Sequence, residues 1–305
     1  MARLVLLVGP PGSGKSTLAK KYEAEGFVRI SQDDQGKGGH IEAFRQAVND
    51  RKDIIVDRMN FNIEQRKNYM VQVAHLDYEI EIIVLHQPYD VCLERILKRE
   101  GHPTIQDEKS ARSALQTFFT KYERPYENPR FKLTFVYPEG PKPRAIICDL
   151  DGTLCNVEHR RHFVRLTDEE IASGKKKNWP AFFGGIKDDT VNQWCALILR
   201  AMQNDACIVY CSGRSDNERK STVEWLEKYK LDSFGTPYTF GKVKAPLYMR
   251  NRHDSRRDDI VKEIILDFEI LTRYTPQFMI DDRKQVVEMW RKRGFVCLQC
   301  DEGDF

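Results

Sequence analysis

The sequence predicts an α/β protein of two domains, each a largely parallel sheet wound with helices. Three observations carry this. Short β-rich apolar runs alternate with helix-length amphipathic segments along the whole chain. The 305 residues exceed the roughly 100–200 that one domain usually holds. Between the halves, Tyr137–Arg144 reads YPEGPKPR, a cluster of turn-forming residues, after which a new apolar run starts at Ala145. The expected domains are therefore 1–141 and 142–305.

In the first half, strands are expected at Leu4–Val8, Phe27–Ile30, Ile54–Asp57 and Glu79–Leu85, with helices starting near Lys15, His40, Ile63 and Tyr89. In the second, strands are expected at Ala145–Leu150, Cys207–Tyr210, Phe278–Ile280 and Phe295–Leu298. All but the last run into charged or small polar residues, where strand ends open onto a crevice. Val191, Trp194, Cys195 and Ile198 follow helical spacing and are expected to form one buried face.

Composition excludes several classes. Hydrophobic residues make up 41% and charged residues 31%, with 18 Gly and 13 Pro, so the chain is neither disordered nor collagenous. A membrane span needs about 20 consecutive apolar residues, and the best run, Leu4–Val8, stops at a Gly-Pro cluster. The N-terminus lacks the pattern of a secretory signal. A cytoplasmic protein with eight reduced cysteines and no membrane partner is expected. The formal charge of +3 makes neither half a polycation, so any nucleic acid must be held by local clusters. Lys175-Lys176-Lys177 and the stretch holding Arg250, Arg252, Arg256 and Arg257 are such clusters; each alone reads as solvated surface.

Residues 9–16, Gly9-Pro10-Pro11-Gly12-Ser13-Gly14-Lys15-Ser16, match the P-loop pattern between a predicted strand and a predicted helix. Glycines let successive backbone N–H groups face phosphate oxygens, and the helix end adds its dipole. Gly9, Gly12, Ser13, Gly14, Lys15, Ser16 and Thr17 are the candidate ATP-binding residues, Lys15 reaching the β/γ-phosphates and Ser16 a Mg²⁺ ion. Phosphoryl transfer to a hydroxyl also needs a base. Asp33, just past the second strand, is the candidate, with Asp34 as alternative. Asp57 ends the third strand, near metal or acceptor. Arg95 and Arg99 lie one helical turn apart; they either clamp ATP phosphates or form an exposed basic face paired with Glu94 and Glu100.

A second motif follows the strand at Ala145: Asp149-Leu150-Asp151-Gly152-Thr153. It resembles the signature of the haloacid-dehalogenase phosphatase superfamily. That resemblance implies a Rossmann-like domain in which Asp149 attacks phosphorus to form an aspartyl-phosphate, and Asp151 serves as general acid and then base. Two carboxylates one residue apart on a strand face the same way, and Mg²⁺ lets an anionic nucleophile approach an anionic ester. The remaining elements occur in the family's order. Ser212-Gly213-Arg214 would hold the phosphoryl group, Lys262 on a helix with Asp258 is the cationic element, and Asp281-Asp282 join Asp149 and Asp151 at the metal.

A P-loop kinase followed by an aspartyl phosphatase resembles the bacteriophage-type polynucleotide kinase/3′-phosphatases. The likeness is densest in Ile280–Arg291 and at the final Gly303-Asp304-Phe305. It implies an end-healing enzyme that phosphorylates 5′-OH ends and removes 3′-phosphates from DNA or RNA, upstream of a ligase, using ATP and Mg²⁺. It also implies a homotetramer and, for a phage-encoded chain, the host cytoplasm. Asp33 would deprotonate the 5′-OH, Asp57 position it, and Arg95 and Arg99 contact ATP. Arg160 and Arg214 would hold the 3′-phosphate, supported by Asp258 and Lys262. The alternative is a small-molecule kinase, for a nucleoside or sugar, fused to a metabolite phosphatase.

Two departures stand out. The phage pattern places an Arg three residues after the catalytic Asp, where this chain has Gly36 followed by Lys37. The stretch Phe163–Asp188 is longer than the pattern and is expected to reshape the phosphatase cap, with Trp179, Phe182 and Phe183 buried instead of stacking on bases. Cys297-x-x-Cys300 has no second pair of zinc spacing, and no zinc site is expected. His159 and His162 lack the partners of a metal site; His159 is within reach of a phosphate.

Overall fold

The computed structural model describes residues 1–99, 105 and 107–303. The chain divides into two compact units, Met1–Glu139 and Gly140–Phe305. Among the described residues no helix is long and apolar enough to cross a membrane.

The first unit is built on five parallel strands: β1 (Ala2–Val8), β2 (Val28–Ser31), β3 (Ile54–Asp57), β4 (Tyr78–Leu85) and β5 (Lys132–Val136), in the spatial order β2-β3-β1-β4-β5. Leu4–Val8 is wholly buried because helices cover both sheet faces, which is why β1 reads as an unbroken apolar run. The chain leaves β1 toward β2 and later crosses to β4 on the other side, so the loop after β1 sits at a switch point where strand ends open. β5 and the helix Glu108–Lys121 lie outside the elements expected from the sequence, the helix because its polar residues conceal the buried stripe Ala111, Leu115 and Phe118.

The helix expected near His40 instead runs from Gln32 to Asn49, its Ser31 cap accepting from the Asp34 N–H. It breaks at Gly36, whose φ of 75° and ψ of 171° are non-helical. An L-residue is strained at that φ, a physical reason for the Gly where the phage pattern has Arg.

The second unit repeats the architecture. Its strands are β6 (Arg144–Cys148), β7 (Cys155–Asn156), β8 (Thr190–Val191), β9 (Cys207–Ser215), β10 (Ser233–Thr236), β11 (Thr239–Lys244), β12 (Leu247–Arg250), β13 (Thr275–Asp281) and β14 (Cys297–Gln299). Five form a parallel sheet in the order β12-β9-β6-β13-β14. Alternation along β6 feeds both faces: Ile146 and Cys148 enter one buried cluster with Ile208, Tyr210 and Trp225, while Ala145 and Ile147 enter another with Val209, Val261 and Trp290. The helix Gln193–Met202 buries Cys195 but leaves Trp194 42% exposed, so Trp194 does not belong to the expected buried face.

β10 and β11 form an antiparallel hairpin. Its turn lies by the beginnings of β6 and β9, where the Tyr238 hydroxyl accepts from the Arg144 N–H and Thr236 Oγ1 is 3.7 Å from Cys207 Sγ. The Phe240 side chain is fully solvent-exposed.

Candidate active sites

In the first unit the loop after β1 supplies the geometry. Gly9 and Gly12 pack so closely that an added Cβ would meet Ser13 Oγ at 2.7 Å and the Cys92 carbonyl at 2.6 Å. Gly14 caps the helix Lys15–Ala24 in the left-handed region, with φ 99°. Lys15 is buried and donates to the Pro10 carbonyl at 2.7 Å. Burial lowers its ammonium to about 8, with Asp57 pulling the other way. Asp57 is buried and takes two bonds from Arg29, at 3.0 and 2.6 Å, and the same guanidinium lies 2.8 Å from Asp34. Asp33 sits exposed in the first turn of the helix Gln32–Asn49.

Arg95 and Arg99 line one cleft of about 510 Å³ with Gly12, Gly14 and Thr17, and Arg95 reaches the Gly12 carbonyl at 3.4 Å. Glu94 pairs with Lys98, and Glu100 lies outside the described residues. Both arginines thus border the phosphate loop. Ser16 stands at the same helix start, half-buried.

In the second unit, Asp149 follows β6, and Asp281 and Asp282 end and follow the adjacent β13. Their carboxylate oxygens lie within 4.8 Å of one another, all three buried. Lys262, on the helix Asp258–Ile265, is 2.7 Å from Asp149 Oδ1, 2.9 Å from Asp281 Oδ2 and 3.8 Å from Asp258 Oδ2. These three carboxylates hold its ammonium well above the ordinary lysine value against the cost of burial. Burial and acidic neighbours push the Asp149 carboxyl up, and that of Asp282 to about 7. Asp282 Oδ2 is buried with no hydrogen-bond partner among the described residues. A Cβ on Gly152 or Gly303 would meet that oxygen at 2.2 or 2.4 Å. A cluster of hard oxygen donors with one unsatisfied oxygen suits a divalent cation such as Mg²⁺.

Asp151 is not in this cluster. Its side chain turns to two buried guanidiniums, Arg160 Nη2 at 2.5 Å and Arg214 Nη2 and Nε at 2.5 and 3.0 Å. Expected beside the metal-binding carboxylates, its side chain lies instead with the two arginines, which hold it well below the usual carboxylate range despite burial. Behind them lies a residue the sequence reading did not single out. Asp189, wholly buried, accepts from Arg160 Nε and Nη2, both at 2.6 Å, and from Arg214 Nη2 at 3.3 Å. Its backbone carbonyl is fixed by Trp225 Nε1 and the Tyr229 hydroxyl.

Ser212, buried in the second half of β9, accepts from the Arg214 N–H at 3.2 Å. Gly213 leaves room for Asp258, whose Oδ1 would lie 2.1 Å from a Cβ there. Asp258 is bridged by Arg250 at 3.0 Å and Arg283 at 3.4 Å. Arg250 also donates to the Gly213 carbonyl, so it is not the solvated surface residue expected.

These groups open into a pocket of about 400 Å³ lined by Asp149, Asp151, Arg214, Asp258 and Asp282 at its floor and by Lys177, Trp179, Phe183, Arg256 and Arg257 at its walls. Of the three aromatics expected to be buried, only Phe182 is, at 1% exposure; Trp179 is 37% exposed. His159 lies 3.6 Å from Asp189. Asp304 and Phe305 lie outside the described residues.

Arg29, Asp189 and Arg283, and the role of Arg250, escape a reading by motif because no fixed spacing marks them and only the folded chain shows what each contacts. The one available signal was local: Arg29 lies two residues before Ser31 on the strand that leads to Asp33.

Residues 143–305 match the family model described as the polynucleotide kinase PNKP phosphatase domain, and residues 4–125 match an AAA domain model. The chain is 26% identical over 320 residues, 95% of its length and 41% of the relative's, to a bifunctional polynucleotide kinase/RNA ligase of Autographa californica nuclear polyhedrosis virus. It is 30% identical over 153 residues, 47% of its length and 17% of the relative's, to transcription factor bHLH140 of Arabidopsis thaliana. It thus spans less than half the length of these curated relatives. A solved structure of a Pnkp1/Rnl/Hen1 RNA repair complex is 26% identical, covering 100% of this chain and 97% of that one, with a TM-score of 0.41.

Proposed function

This chain belongs to the family of polynucleotide kinase PNKP phosphatase domains, and from that premise we propose that it heals polynucleotide ends: a 5′-hydroxyl kinase in its first unit, a 3′-phosphatase in its second. The observation that carries the reading is the buried trio Asp149, Asp281 and Asp282 beside Lys262, of which Asp149 and Asp282 line one pocket with the arginine-held Asp151. A lone structural salt bridge would not gather three carboxylates around an unsatisfied oxygen, because each buried charge costs several kcal/mol unless compensated.

In the phosphatase, Asp149 is the nucleophile and Lys262 orients its carboxylate. Asp149, Asp281 and Asp282 are the residues that would hold Mg²⁺; bound there, the ion neutralises the carboxylates and the incoming phosphate. The phosphate draws Arg160 and Arg214 away from Asp151. With its cationic partners engaged elsewhere, Asp151 can carry a proton to the departing 3′ oxygen, and later take one from the water that frees the aspartyl group. Asp189 keeps both guanidiniums at the pocket floor while they change partners.

In the kinase, the loop N–H groups and Lys15 hold the β/γ-phosphates of ATP, Ser16 is placed for the accompanying Mg²⁺, and Arg95 and Arg99 close over the donor. Asp33, exposed in the first turn of the helix that begins at Gln32, is the base for the 5′-hydroxyl. The products, a 5′-phosphate and a 3′-hydroxyl, are the ends a ligase joins.

The test is an end-labelling assay on a 5′-hydroxyl oligonucleotide together with phosphate release from a 3′-phosphorylated one. The expected result is both activities, with Asp33→Ala removing only the first and Asp149→Ala only the second. Preference for nucleosides or sugars over oligonucleotides in competition overturns the proposal.

A further inference from the structure

Resting on the 5′-kinase reading, the structure assigns Arg58 as the residue that tells a strand from a small molecule. It takes the first internucleotide phosphate of the acceptor whose 5′-hydroxyl faces Asp33.

The segment after β3 is locked to the phosphate loop. The Met59 carbonyl accepts from the Gly9 N–H at 3.2 Å, and buried Asn60, at a φ of 44°, donates through Nδ2 to the Leu7 carbonyl at 2.8 Å. Arg58 leaves this segment next to Asp57 and reaches toward the base: its Nη2 donates at 2.5 Å to Oε1 of Gln32, the residue just before Asp33. Its Nη1 donates to the Tyr69 hydroxyl at 2.9 Å. Tyr69 is buried on the helix Ile63–Val73 and meets Phe44 edge-on at 4.9 Å, and Phe44 lies on the same helix as Asp33. The guanidinium thus spans from the segment bonded to the donor loop to the helix that carries the base, and its position is fixed at small entropic cost to a ligand.

Charge selects the occupant. Both partners of Arg58 are neutral, and among the described residues no carboxylate pairs with it. Arg29 is the opposite case, pinned by Asp57 and Asp34. A half-buried guanidinium with neutral partners alone lacks the compensation that burial of charge calls for, and most of its N–H donors are left over. Those donors suit the oxygens of a phosphate. A strand carries one such group next to the attacking hydroxyl, on the 3′ oxygen of the same sugar; a free nucleoside or sugar carries none. The placement also bears on Gly36. Its φ of 75° strains any L-residue put there, and Arg58 brings a guanidinium to the start of the same helix from the end of β3 instead.

The test uses the full chain and end-labels two short 5′-hydroxyl oligonucleotides that differ only in their first linkage, a phosphodiester in one and an uncharged methylphosphonate in the other. The unsubstituted protein is expected to favour the charged linkage by about ten- to a hundred-fold in kcat/KM, the size of a hydrogen bond between charged groups. In Arg58→Gln the two acceptors react alike, and Arg58→Lys keeps part of the preference. An arginine that only braces the start of the helix would lower both acceptors together and leave their ratio unchanged. Lys37, exposed beside Gly36, is the rival cation, and Lys37→Gln is expected to keep the full ratio. Equal labelling of both acceptors by the unsubstituted protein, an unchanged ratio in Arg58→Gln, or loss of the ratio in Lys37→Gln overturns the inference. Phosphorylation of a free nucleoside or sugar but of no 5′-hydroxyl oligonucleotide overturns instead the kinase reading on which it rests.

Discussion

Lys15 and Lys262 are both buried lysines beside a phosphate pocket, and they are held in opposite ways. Lys15 faces a backbone carbonyl with the carboxylates of Asp57 and Asp33 nearby, and burial drags its ammonium down to about 8. Lys262 faces Asp149, Asp281 and Asp258, which push it far up. The kinase site is thus made of peptide groups waiting for an anion, with its cation under-compensated until ATP arrives. The phosphatase site is made of side-chain charges in which one ammonium meets several carboxylates, and Asp282 Oδ2 is left for a cation. One site lacks an anion; the other lacks a cation.

The largest expected effect tests that contrast directly. Lys262→Met strands three buried carboxylates, and the second unit should lose about 3–5 kcal/mol. Lys15→Met removes an ammonium that folding disfavours and should leave the first unit unchanged or up to about 3 kcal/mol more stable. Thermal and urea unfolding of the full-length variants, followed for each unit, decides the matter. Equal losses from the two substitutions would erase the distinction.

The second effect concerns the cation. With the Asp282 carboxyl near 7, protons and Mg²⁺ compete for the same oxygen as the pH falls through 7. The half-saturating Mg²⁺ concentration of the phosphatase should rise about tenfold per pH unit below that value. A flat dependence between pH 5 and 7 would show that Asp282 is not a ligand.

The third runs the other way in pH. ATP binding needs the charged form of Lys15, which the unliganded protein loses as the pH rises through about 8. The KM for ATP should therefore increase by about tenfold from pH 7 to pH 9, while the 3′-phosphatase KM shows no corresponding rise.

The smallest effect separates the two glycines at Asp282 from an ordinary turn. Gly303→Ala places a Cβ 2.4 Å from Asp282 Oδ2, so that carboxylate must shift. We expect weaker Mg²⁺ dependence of phosphate release, by about threefold to tenfold, with kinase labelling unchanged.

The same contrast explains what was legible in the sequence. The phosphate loop and Asp149–Thr153 were readable because their chemistry needs consecutive residues, glycines that bring backbone close or carboxylates spaced by two. The parallel sheets were readable because burial on both faces leaves unbroken apolar runs such as Leu4–Val8. Asp189 was not, because nothing local distinguishes it from its exposed neighbour Asp188; only the return of β8 beside β7 puts it behind Arg160 and Arg214. Asp151 was placed on a motif, but its side-chain direction depends on guanidiniums 9 and 63 residues away. Trp179 was assigned to the interior because aromatic clusters usually pack there, and its exposure follows from Phe182 taking the inward position instead.

The β10–β11 hairpin offers a practical handle. Its turn lies by the beginnings of β6 and β9, whereas Asp149 and Ser212 lie toward their far ends, so a dye or surface tether joined at residue 240 sits across the whole sheet from the chemistry. Immobilised or fluorescent forms made there should report single healing events without the attachment obstructing the pocket mouth.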